Sequence, residues 1–198
     1  MTTIDMKPSR LAIYFQYSMI GLVLSVWPSH TMAQDSHSHA PTQQSETIEQ
    51  QNALVKIVRE NTERFKDVKV AEAEGYALRF GCVSGDDFGA MGLHYLNGNL
   101  VNSGVVDATR PQIVIYEPKP DGSLRLIGAD YLVLADAWNA KNSGPPELMG
   151  QFFHLFTSPN RFGLPNFYTL HVWAWKENPK GAFVNWHPNV SCSSFAGK

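Results

Sequence analysis

Residues 112–135 read Gln112-Ile113-Val114-Ile115-Tyr116-Glu117-Pro118-Lys119-Pro120-Asp121-Gly122-Ser123-Leu124-Arg125-Leu126-Ile127-Gly128-Ala129-Asp130-Tyr131-Leu132-Val133-Leu134-Ala135. Two runs rich in β-branched and aromatic residues flank Pro-Lys-Pro-Asp-Gly, whose prolines and Asp-Gly pair favour a tight reversal. The stretch therefore predicts two antiparallel strands, residues 112–117 and 123–135. Working outward, the same aromatic and β-branched vocabulary predicts strands over 76–82, 91–96 and 167–175. Upstream of Gly75 the pattern changes: Leu54, Ile57, Val58, Phe65 and Val68 recur at helical spacing and predict a helix over 47–68, with Thr47 and Gln50 as a capping box. A second short helix over 67–74 would stop at Gly75. Pro146 is placed to open a late helix over 146–156. The expected fold is α+β, a helical N-terminal segment packed on a mainly antiparallel sheet.

The 198 residues are 43% hydrophobic, 12% aromatic and 17% charged, enough apolar material for one domain with its own core. A formal charge of −2 provides no field to hold a phosphate backbone, so no nucleic-acid partner is expected. Lys7 and Arg10 precede an apolar stretch over 11–27, and Thr31-Met32-Ala33 supplies the small residues of a cleavage site, so residues 1–33 read as a secretory signal peptide. Its removal would leave no stable membrane insertion and place the protein in the periplasm or the medium. Residues 34–46, with His37-Ser38-His39, read as a flexible polar tail, and 47–198 as the single domain. In an oxidising compartment Cys82 and Cys192 are expected to form a disulfide, which in the chain-entropy account would contribute roughly 4–5 kcal/mol.

The chain contains no nucleophile elbow, phosphate-binding glycine loop, dinucleotide fingerprint, paired-cysteine zinc motif or HExxH helix. What remains is polar residues set inside apolar strands, where each must find a partner. His94 lies in Gly-Ala-Met-Gly-Leu-His-Tyr-Leu, His171 in Tyr-Thr-Leu-His-Val-Trp-Ala-Trp, and Asp130 within the apolar run 124–135. Two neutral imidazoles and a carboxylate form a set of ligands for zinc, copper or iron, with positions left for water or substrate. His154 and Glu147, seven residues apart, would share one side of the late helix and offer a base or further ligand. Trp173, Trp175 and Tyr95 offer an aromatic platform for a small or carbohydrate-like ligand. The competing interpretation treats the histidines as core residues, each bonded within the fold, with Asp130 as a partner.

Arg64-Phe65-Lys66-Asp67-Val68, Gly75-Tyr76, Gly89-Ala90-Met91-Gly92-Leu93-His94-Tyr95, Leu170-His171-Val172-Trp173 and the segment from Asn178-Pro179-Lys180-Gly181 to Cys192 together resemble a family of uncharacterised exported bacterial proteins. The resemblance covers residues 50–192 and implies export and a single domain; it carries no activity. In that family's pattern a Glu stands at Asp130 and an Asn at His187. The first departure keeps a carboxylate on a shorter stem, and the second argues against His187 as a site residue. Three functions follow: a metal-binding exported protein with hydrolytic or oxygen-using chemistry, a ligand-binding module without catalysis, and a structural domain. Convergence of His94, His171 and Asp130 on one point distinguishes the first.

Overall fold

The computed structural model describes residues 43–197. The leader expected over residues 1–33, and the tail up to residue 42, lie outside them. The chain begins with α1 (Gln43–Thr62), a 3-10 turn (Glu63–Lys66) and α2 (Val68–Ala73), followed by β1 (Tyr76–Gly85), β2 (Gly89–Asn97), α3 (Gly98–Ser103), β3 (Ile113–Pro118) and β4 (Leu124–Leu134). A short α4 (Ala135–Asn139) leads to β5 (Glu147–Leu148), β6 (Gln151–Phe152), β7 (His154–Phe156) and β8 (Phe167–Val172). Six strands form one curled antiparallel sheet in the order β1-β2-β3-β4-β8-β7, and β5 and β6 make a separate hairpin. The α+β class, the packed helical segment and the disulfide Cys82–Cys192 are all present. No helix among the described residues is long and apolar enough to cross a membrane.

The predicted hairpin over 112–135 forms, with Ile113 opposite Asp130 and Glu117 opposite Arg125. Helix α1 starts at Gln43, so Thr47 and Gln50 lie inside it and do not cap its start. Asp67 does cap α2, its carboxylate accepting from the Lys69 amide at 3.0 Å. The predicted strand over 167–175 ends at Val172, because the Ala174 amide turns back to the Val172 carbonyl and the amides of Trp175 and Lys176 both reach the carbonyl of Ile127.

The late helix over 146–156 does not form. Met149 and Gly150 both have positive φ, 49° and 79°, and make a two-residue turn joining β5 to β6. Such a turn suits the twist of a hairpin and interrupts any helix, and Gly150 was its signal in the sequence.

Alternation along the strands divides the core between the two faces of the sheet. On one face, Leu54 and Val58 of α1 pack on Tyr131, Leu170 and Val172, while Phe65 packs with Leu93, Tyr95 and Tyr116. The other face carries Ile113, Ile115, Leu132 and Phe167 and is covered by Phe156 at the end of β7 and by two irregular segments: residues 157–164, through Phe162 and Leu164, and residues 182–192. The second segment is held by the Trp173 indole on the Val184 carbonyl, the paired backbones of Ala90 and His187, and the disulfide. Two glycines permit the close strand approaches on this layer: a Cβ at Gly128 would lie 2.6 Å from the Val172 carbonyl oxygen. Gly92, at φ 91°, would meet the Tyr116 oxygen at the same distance.

Candidate metal centre

His94 on β2, Asp130 on β4 and His171 on β8 project from the face covered by the irregular segments, each about 3% exposed. The ladder aligns them: His94 lies opposite Ile115, Ile113 opposite Asp130, and Asp130 opposite His171. One ligand atom from each residue falls within 4.8 Å of the other two. The Nε2 atoms of His94 and His171 are 3.5 Å apart, and His171 Nδ1 lies 3.6 Å from Asp130 Oδ1. Two imidazole nitrogens bound to one tetrahedral ion at about 2.0–2.1 Å would be about 3.3 Å apart. The observed separation is close to that value.

A proton can satisfy only part of this cluster: the two Nε2 atoms are within hydrogen-bonding distance of each other, whereas His171 Nδ1 is not paired. A carbonyl oxygen can only accept, so the 3.1 Å contact between His94 Nδ1 and the Gly92 oxygen places the His94 proton on Nδ1 and leaves a lone pair on Nε2. Asp130 Oδ1 accepts from the Thr169 hydroxyl at 2.5 Å, and His171 Nδ1 is buried without a hydrogen-bond partner. Burial, reinforced by the neighbouring His171, pushes the His94 imidazole down to about 4. Burial, reinforced by His154, pushes His171 to about 3. Burial likewise raises the Asp130 carboxyl to about 6, against the Thr169 bond and backbone amides that favour its charge. Both imidazoles are therefore neutral at pH 7, each with one ring nitrogen free of a proton, beside a carboxylate in a site closed to bulk water. Such a set of donors can hold a divalent cation.

The cluster forms the polar floor of a cavity whose walls include Phe80, Met91, Phe156, Phe162, Leu164 and Phe167. The space open to the centre of a water molecule is only about 20 Å³, room for a water or a ligand of a few atoms.

The other candidates lie elsewhere. With no helix over 146–156, Glu147 and His154 do not share a helical face; both are exposed, Glu147 accepting from the Gly150 amide at 2.9 Å and His154 sitting on the edge strand opposite Thr169. Neither lines the cavity. Trp173, Trp175 and Tyr95 do not form an open platform. Trp173 and Tyr95 are buried, at 3% and 8% exposure, with Tyr95 edge-on to Tyr116. Trp175 is pinned through its indole N–H to the Thr62 hydroxyl at 3.0 Å, under the Lys66 ammonium. His187 is a satisfied core residue: its Nε2 donates to the Glu177 carbonyl and its Nδ1 accepts from the Asn189 amide, each at 3.1 Å.

Three contributors to the site were not foreseen. Thr169 stands two residues before His171 on the same strand face, so period-two alternation could have found it. Asn185 is close enough to the His171 ring to favour its protonation, and its Oδ1, like His171 Nδ1, is buried without a hydrogen-bond partner. It comes from irregular chain, where no periodicity marks it. Phe80 belongs to a bulge between Arg79 and Cys82 and likewise follows no alternation. No protein-family model matches the chain, and no curated protein or solved structure shows significant similarity to it.

Proposed function

We propose that the chain is an exported metalloprotein that holds one divalent transition metal, zinc, copper or iron, through His94, His171 and Asp130. The observation that carries this reading is the convergence of two neutral imidazoles, their Nε2 atoms 3.5 Å apart, and a carboxylate in a buried site where His171 Nδ1 has no hydrogen-bond partner. Three protein ligands are the count of catalytic rather than structural zinc sites, which close with four. All three residues line the cavity, so a metal held by them would be reached from it. A metal there supplies a Lewis acid and an activated water, or a binding position for dioxygen. The chain's own residues do the rest: Gly92 fixes the His94 tautomer, Thr169 orients the Asp130 carboxylate, and the apolar walls exclude bulk water. The disulfide accounts for both cysteines and supports an oxidising compartment, in keeping with the leader expected over residues 1–33.

The test is elemental analysis of untagged protein together with thermal unfolding of the metal-free form. A site held at about 100 times its Kd gains about 2.7 kcal/mol, an increase of roughly 5–10 °C in Tm for a chain of this size. His94→Ala and His171→Ala should abolish both the bound metal and the increase. Asp130→Asn, of nearly the same shape, should weaken both while the protein stays folded. A folded wild-type protein that takes up no zinc, copper or iron, and whose Tm these ions do not move, would overturn the proposal.

A further inference from the structure

Four phenyl rings run in succession over the His94/Asp130/His171 cluster: Phe80 lies edge-on to Phe162 at 5.4 Å between centroids, Phe162 edge-on to Phe167 at 6.0 Å, and Phe156 stacked on Phe167 at 5.2 Å. Their relative exposure shows which end faces water. Phe167, packed between Phe162 and Phe156, is 3% exposed, whereas Phe80, at one end of the series, is 37% exposed while still lining the cavity. Phe80 also departs from ordinary backbone geometry, with φ 67° in the left-handed region that costs a bulky side chain energy. It sits in the β1 bulge next to Gly81, where two residues escape the ladder with β2. The fold thus holds a large aromatic residue in a strained conformation at one outer edge of the site. Bulges commonly re-aim a side chain in this way beside functional sites.

The walls beyond the cluster bring no further charge: apart from His94, Asp130, His171 and Thr169, every lining residue is apolar. Building on the metal reading above, we infer that Phe80 and Phe162 form a hinged portal through which a small, uncharged, apolar ligand of a few heavy atoms reaches the open metal position. An anion entering by this route would shed its hydration among phenyl rings with no polar group to replace it. An apolar molecule loses nothing there and gains contact with the walls. Because Phe80 is stationed on a bulge outside the ladder, its ring can swing without breaking the β1–β2 hydrogen bonds on either side.

The experiment uses the full mature chain loaded with Co(II), whose visible spectrum reports the coordination of the ion. Two probes of equal heavy-atom count are compared by stopped flow: methyl isocyanide, which is neutral, and azide, which is anionic. The expected result is that isocyanide perturbs the spectrum and that azide enters at least about tenfold more slowly. Phe80→Gly removes the ring and relieves the left-handed strain, so it should fold normally and speed isocyanide entry roughly 3- to 10-fold, the equivalent of one lost edge-to-face contact. Phe162→Ala should act in the same direction from the other side of the pair. Equal entry rates for the two probes, or isocyanide rates unchanged within about twofold in both variants, would overturn the portal. Stoichiometric cobalt in every variant keeps that outcome separate from failure of the metal site, which a protein taking up no cobalt would show.

Discussion

The Nε2 atoms of His94 and His171 lie 3.5 Å apart, although 77 residues separate them in sequence and two strands, β3 and β4, stand between them in the sheet. Three strand intervals amount to about 14 Å in a flat sheet. Two imidazoles standing off such a sheet would remain far apart, so its curl closes the gap. Gly92 and Gly128, at close strand contacts, and the register shift between Ile115 and Tyr116 are the local features that accompany this curl. The centre is therefore a property of sheet shape as much as of its ligands.

Asn185 should set the tautomer of His171. If Asp130 is committed to the metal, the proton on His171 Nδ1 needs another acceptor, and the Asn185 Oδ1, buried and without a formed hydrogen bond, is available. Asn185→Leu is predicted to weaken metal binding roughly 10- to 100-fold in chelator competition, with Asn185→Asp restoring it. Nitrogen NMR shifts of the His171 ring supply a readout that a merely structural role would leave alone: the Leu variant should lose the single Nδ1–H tautomer. Unchanged affinity and unchanged ring shifts in Asn185→Leu would remove Asn185 from the site.

Alkaline stability should depend on Tyr76. Its hydroxyl donates to the Pro111 carbonyl at 2.8 Å, and burial is the main cause that pushes the phenol up to about 12. The unfolded chain ionises first, near pH 10, so this contribution is fully present below pH 10 and is lost as pH rises from 10 to 12. A shift of that size corresponds to about 2–3 kcal/mol. Urea unfolding across this window should show stability falling steeply in the wild-type protein and less steeply in Tyr76→Phe. Parallel pH profiles for the two proteins would refute the assignment.

Reduction should weaken the domain without rearranging it. Cys82 and Cys192 are 110 residues apart and join the end of the β1 bulge to the segment that covers the face carrying His94, Asp130 and His171. A Cys82→Ala/Cys192→Ala double variant is predicted to lose about 4–5 kcal/mol in the chain-entropy account, with less if the unfolded chain keeps structure. Chemical denaturation with and without reductant measures it. A loss below about 1 kcal/mol would mean that the covering segment is held by its hydrogen bonds alone.

The strands were legible because alternation and turn chemistry act over a few residues, as in the reversal at Pro118 to Gly122 and the apolar runs beside it. The late helix does not form because a proline suits the start of a helix but does not require one, and the left-handed pair Met149 and Gly150 decides for a hairpin. His94, Asp130 and His171 could be picked out singly, since a polar side chain in an apolar strand must be paired or used.

By itself, then, the sequence determined the strands of the hairpin over 112–135 and of its main neighbours in the sheet, which cysteines are available to pair, and that His94, Asp130 and His171 are buried. Only the tertiary structure decided that β8 lies beside β4, that Asp130 faces His171, and that the sheet curls far enough to bring His94 to them. Those relationships depend on strand order and curvature, which arise from packing between residues distant in the chain and leave no periodic trace along it. The same holds for Asn185 and Phe80, placed by irregular backbone whose course is set by what it packs against.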